Sequence, residues 1–205
     1  MTIKISLTQF LTFNSKVSTE AKINYVSGVK YGPEYSVRMD YWKTLRDAIK
    51  NSFKNGTDIE SISNAVNNVR DDKKTNYRRV SSRMIHFVNS HEIEYFDTGH
   101  AVWNFEDKLT VSASPELGFI IDGDKFLVKN YYKKPNSNTK VTGKNIKSTL
   151  ALMSLAKSDF PINGAKAAVL NLQNEKLNIA SPISSNDQLS LNVDAETFVN
   201  IWNKI

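Results

Sequence analysis

The stretch SPELGFIIDGDKFLVKNYYKK, Ser114–Lys134, reads as two β-strands folded over a tight turn. Gly123 in "DGDK" supplies the positive φ that a two-residue hairpin turn requires. Carboxylates stand before and at the bend, lysines after it. The pattern raises two readings: a metal-dependent hairpin that does chemistry, or a hairpin with a basic tail.

Working outward, "EIEYF", "HAVWNF" and "KLTVSAS" precede the hairpin and alternate as strands. "NTKVTGKNIK" leads into a helix over about 144–157, carrying Ile146, Leu150, Leu152, Met153 and Leu155. "AKAAVLNLQ" returns as a strand, and "NEK" turns it into "LNIAS". Asp194 caps a last helix whose face is Phe198, Ile201, Trp202 and Ile205.

Before residue 90 the periodicity is helical. "SLTQ" at Ser6–Gln9 has capping-box spacing and opens a short helix with Leu7, Phe10 and Leu11. Residues 15–37 read as extended or looped, because "YGPEYS" breaks any helix. Tyr41, Leu45, Ile49 and Phe53 recur every four residues over 40–54, and Gly56 ends that helix. "TDIE" at Thr57–Glu60 reads as a second capping box before Ile59, Ile62, Val66 and Val69. A third helix spans about 72–89, with Tyr77, Val80, Met84, Phe87 and Val88 inward and Arg78, Arg79 and Arg83 outward.

The fold class expected is α+β: an N-terminal helical bundle, then a mostly antiparallel sheet with a crossover helix and a C-terminal helix. Residues 1–90 form a basic helical region and 91–205 an α+β sheet region, either separate or as two lobes of one domain. Trp42, Trp103 and Trp202 are expected in the core or between lobes.

Charge sharpens the division. Residues 1–90 hold 15 Lys+Arg against 8 Asp+Glu; residues 91–205 hold 12 against 13. The stretch Lys129–Lys147 adds six lysines and no acid, with Tyr131 and Tyr132 inside it. Lysines beside aromatic rings suit phosphate contact and base stacking. Arg78, Arg79, Arg83, Lys133, Lys134, Lys140, Lys144 and Lys147 are therefore the expected nucleic-acid ligands.

Other chemistry finds little support in the sequence. There are no cysteines, which removes disulfides and thiolate sites. His86, His91 and His100 form no H-x-x-x-H; His91 and Asp97 would lie about 20 Å apart in one strand. No metal site is expected from them. "GKNIKST" lacks Walker spacing, and no G-x-S-x-G elbow occurs. No apolar run approaches a membrane span and no secretory leader is evident, so the expected location is cytoplasmic. Abundant Asn and Lys point to an AT-rich bacterial or phage gene.

In element order, residues 91–180 resemble the core of the PD-(D/E)XK nuclease superfamily. The resemblance implies a first carboxylate at Glu116 or Asp122, a motif lysine at Lys129 and, in an active member, Mg²⁺ as cofactor. A hard cation on converging carboxylates is what phosphodiester hydrolysis needs. The acidic position two residues before the lysine is Leu127, and the following helix contains no Asp or Glu. The resemblance is thus to a degenerate member. The expected function is a non-catalytic nucleic-acid-associated protein of bacterial mobile-element or phage-defence type. The alternatives are a protein-interaction or inhibitor module without nucleic-acid binding, and a divalent-metal-dependent nuclease using Glu116, Asp122 and Lys129.

Overall fold

The computed structural model describes residues 2–33, 40–133, 140–160 and 163–205. The chain is α+β. It opens with strand β1 (Ile3–Ser6) and helices α1 (Leu7–Asn14), α2 (Thr19–Lys30) and α3 (Lys43–Asn55). A 3-10 helix (Ile59–Val66) and α4 (Asp71–Asn89) follow. Strands β2 (Ile93–Phe96), β3 (Ala101–Phe105), β4 (Leu109–Ser112), β5 (Leu117–Ile121) and β6 (Asp124–Tyr131) come next. Helix α5 (Lys147–Leu155), strands β7 (Lys157–Ser158), β8 (Lys166–Asn171) and β9 (Lys176–Ile179), and helix α6 (Ser185–Lys204) complete the order.

The strands divide between two sheets. The first runs β1-β4-β3-β7 and the second β2-β5-β6-β8-β9. Most pairings are antiparallel. β1 lies parallel to β4, and β6 runs parallel to β8 after crossing through α5. Local reading of the strands places them in succession; pairing partners are nonlocal, and β2 passes over β3 and β4 to reach β5.

Each face of the larger sheet builds a core. Leu117, Phe119, Phe126, Val128, Ala168 and Leu170 pack with α3, the 3-10 helix and α4, through Leu45, Ile49, Ile62, Tyr77 and Met84. On the other face Tyr131, Ala167 and Val169 join a core that includes α1, α5, α6 and the smaller sheet, with Phe10, Phe13, Trp103 and Phe198. Helix α5 lies inside this core, and Ser148 through Met153 are all buried. A helix apolar around its circumference is stable only when enclosed. Both cores draw residues from either side of residue 90.

Local chemistry explains most elements. The Ser6 capping box forms as the sequence predicts. Gly56 ends α3 in the left-handed conformation at φ 61°. Three expectations are corrected. Residues 15–37 do not run extended throughout: Ser18 accepts from the Ala21 N–H and starts α2, and the chain breaks only after Lys30. The cap before Ile59 is Asp58, accepting from the Glu60 N–H, and a 3-10 turn follows. Asp194 caps nothing; α6 begins ten residues earlier at a capping box of Ser184 and Asp187. Asp194 instead accepts from Ser148 Oγ at 2.6 Å and pairs with Lys22 at 3.3 Å, tying α6 to α5 and α2. Trp42 and Trp103 are buried, and Trp202 packs against the core that contains Phe10, Phe13 and Phe198. No helix among the described residues is long and apolar enough to cross a membrane.

Candidate functional site

The hairpin turn places Asp122 and Gly123 at positive φ, 51° and 88°. That two-residue loop sets Ile121 opposite Asp124 and Leu117 opposite Val128. Counting from the turn puts Glu116 beside Lys129, and there the ladder departs from one-to-one pairing: the Glu116 N–H donates at 2.9 Å to the carbonyl of Val128, the residue already opposite Leu117. The two side chains meet: Lys129 Nζ donates to Glu116 Oε1 in an ion pair. Lys129 is only 7% exposed. A lysine at that depth needs a counter-charge, and Glu116 supplies it.

Further polar groups close around the carboxylate. Tyr132 Oη donates to Glu116 Oε2 at 3.3 Å, and Asn130 Nδ2 donates to Tyr132 Oη at 3.2 Å. Burial, and then the Glu116 charge, push the Tyr132 phenol well above its ordinary pKa. Arg46 on α3 donates to Asp40 at 2.6 Å. Burial opposes the Arg46 charge, yet the Asp40 hydrogen bond and the Glu116 and Asp40 carboxylates hold its pKa above the guanidinium norm. Trp42 stacks between Tyr132 and Tyr77, with ring centroids at 5.7 and 5.3 Å. Trp42 Nε1 and Asn130 Oδ1 are buried with no hydrogen-bond partner among the described residues.

Asp122 is not part of this cluster. It lies at the far end of β5, about 20 Å from Glu116 by strand rise, and accepts from the Glu92 N–H at 3.2 Å. Leu127 shares a strand face with Lys129, is 7% exposed, and lines a small apolar cavity with Ala101, Ala113 and Met153. Among the described residues, no group of three or more His, Asp or Glu side chains is placed to hold a metal ion. Chemically, the arrangement is a neutralised buried pair within a hydrogen-bond network.

The basic residues divide. Arg78 and Arg79 are exposed on α4, and Arg79 donates to Asn76 at 2.9 Å. Arg83 turns inward and donates to the Leu172 and Gln173 carbonyls just beyond β8, so it anchors α4. Lys133 is half-buried, while Lys140, Lys144 and Lys147 are exposed. Lys134 lies outside the described residues. The 140–147 segment is held where Asn171 Nδ2 donates to the Val141 carbonyl at 3.3 Å. Both basic stretches therefore attach at the carboxyl end of β8, α4 from one face of the sheet and the α5 side from the other.

Sequence reasoning missed Tyr132, Asn130, Trp42 and Arg46 as members of the network. It also treated Glu116 and Lys129 without pairing them. A signal for the pair was present: a two-residue turn at Asp122–Gly123 fixes the whole register of the hairpin. Compared with known proteins, the chain matches no family model and no curated protein.

Proposed function

We propose that the chain is a non-catalytic nucleic-acid-associated protein built on a nuclease-like sheet. The observation that carries this reading is the Glu116–Lys129 ion pair beside Leu127. A lysine occupies the carboxylate that a metal would need, and an aliphatic side chain stands where a second ligand belongs. The order α4, β2, β5, β6, α5, β8 supports the nuclease-like comparison, with β6 and β8 parallel across α5. Outside that sealed hairpin the charge is cationic: Arg78, Arg79, Lys140, Lys144 and Lys147 are exposed. Such side chains give phosphate contacts that fix position without reading sequence.

The test is binding to duplex and single-stranded DNA and RNA as a function of salt. Affinity is expected to fall steeply with salt. Arg78→Ala and Arg79→Ala should each make that salt dependence shallower, by about one in the logarithmic slope for every phosphate the side chain neutralises. No binding at about 50 mM salt sinks the reading. So does Mg²⁺- or Mn²⁺-dependent cleavage that disappears in Glu116→Gln.

A further inference from the structure

We infer that the free edge of β9, with the groove beside it, takes up an extended acidic peptide segment of a partner protein by strand addition. This goes beyond nucleic-acid association; of the exposed cations named for that reading it shares only Lys147, and it otherwise rests on the β9 edge, the apolar walls of the groove and Lys176.

Strand β9 is an edge of the larger sheet and, among the described residues, pairs with β8 alone. Ala180 N–H donates to the Ala167 carbonyl, and Asn178 lies opposite Val169. In an antiparallel ladder the bonded pairs alternate, so the backbone groups of Leu177 and Ile179 point away from β8. Nothing among the described residues covers them with a hydrogen bond. Ile179 is 45% exposed, an apolar side chain on an unpaired edge. Edges of this kind are templates for another strand unless blunted.

Beside the edge runs an open groove of roughly 330 Å³, between β9, the start of α5 and the start of α6. That is at the small end of the range of about 300–1,000 Å³ for ligand pockets. Leu150, Ala151, Leu177 and Ile183 give it apolar walls. Lys147 and Lys176 stand at its margin and form no ion pair among the described residues. The acid in the lining, Asp187, is held by the α6 capping box with Ser184, which lowers its pKa, and the Lys147 charge adds a smaller push in the same direction.

These features choose the occupant. Outward backbone groups suit a strand, apolar walls suit its alternate side chains, and the two lysines suit acidic residues between them. Nucleic acid is the poorer fit, because no aromatic ring among the described residues lines the groove for bases to stack on. A second copy of the chain is also a poorer fit, because its own β9 segment, Lys176–Ile179, carries a lysine and no acid to meet Lys147 and Lys176.

The experiment selects peptides from a random displayed library on the full chain. Enrichment of sequences alternating acidic with β-branched residues is expected, together with slowed amide exchange at Leu177 and Ile179 in the complex. Ile179→Pro removes one outward N–H without touching the β8 ladder; binding is expected to fall at least tenfold. The Lys147→Glu, Lys176→Glu double variant is expected to lose as much and provides a second test should the proline disturb folding. Failure to enrich acidic peptides overturns the proposal, as do selected peptides that bind both variants like the wild type. Protection of the same two amides by a dT12 oligonucleotide, or by self-association in a dilution series, overturns it as well. Salt-dependent binding to nucleic acid is scored separately, so either reading can fail alone.

Discussion

The β5–β6 and β8–β9 hairpins belong to one sheet, and each carries lysines, yet they treat charge in opposite ways. In β5–β6 both strands are interior, flanked by β2 and β8. Lys129 there is buried and its charge is cancelled by Glu116. In β8–β9 the second strand is an edge, and Lys176 stays exposed without an ion pair among the described residues. The tight turns differ too. Asp122 accepts a backbone N–H, whereas Glu175 at φ 60° reaches His86 Nδ1 at 2.5 Å on the exposed face of α4. A lysine's role here follows from whether water reaches it: Lys125, next to the turn on the same interior β6, is exposed like Lys176. Where water is excluded the group must be paired and becomes structural; where an edge is open the group is available to a partner.

The contrast breaks most visibly at the sealed hairpin. Lys129→Ala leaves Glu116 in a buried site without its counter-charge, and such a removal costs about 3–5 kcal/mol. For a chain of this size the melting temperature should drop on the order of 10 °C. Glu116→Gln with Lys129→Met removes both charges together and should recover to within about 2 kcal/mol of wild type. Urea unfolding of Glu116→Gln, Lys129→Met and the double gives the coupling directly. Singles that cost no more than the double would mean that the pair is solvated, which would erase the difference between the hairpins.

A second effect appears at alkaline pH. Burial raises the Tyr25 phenol on α2 to about 12, while its hydrogen bond with Thr12 acts in the opposite direction. An unfolded tyrosine ionises near about 10. The folded chain therefore holds a proton that the unfolded chain releases. Stability from this group is complete below about pH 10 and is lost as pH rises toward 12. Tyr132, also raised, adds to the loss in the same direction. The Tyr25 contribution amounts to about 2–3 kcal/mol. Denaturation midpoints between pH 9 and 12 are expected to fall, and the fall should be shallower in Tyr25→Phe.

Much of the fold was legible because its signals are local. The hairpin followed from alternation and Gly123, and α3, α4 and α6 from apolar spacing. Helix α2 escaped because only Val26 of its residues is fully buried, so hydrophobic period gave no sign; the Ser18 cap was the better clue. The division into two sheets escaped for another reason. β7 has two residues, β1 pairs with a strand more than a hundred positions away, and nothing in either segment names its partner. The candidate site lies between these cases. Glu116 and Lys129 were visible as residue types, and their pairing followed from the turn by counting. Trp42 and Arg46 enter only through packing of α3 on the sheet, which no local pattern encodes.

The smallest effect is expected at the open edge, where it says most about the comparison. Ile179→Lys places a charge on the strand in the way natural edges are protected. The side chain is half in water, and its backbone groups outside the β8 ladder have no native partner among the described residues. Stability should change by no more than about 0.5 kcal/mol, since nothing packed is removed. Peptide capture should nevertheless weaken, because the apolar contact that Ile179 offers to the β-branched residues of the peptide is lost, and that loss outweighs one more attraction to its acids. A loss above about 1 kcal/mol in urea unfolding would mean that Ile179 is held by the native molecule. β9 would then behave as an interior strand, and exposure at the edge would no longer distinguish Lys176 from Lys129.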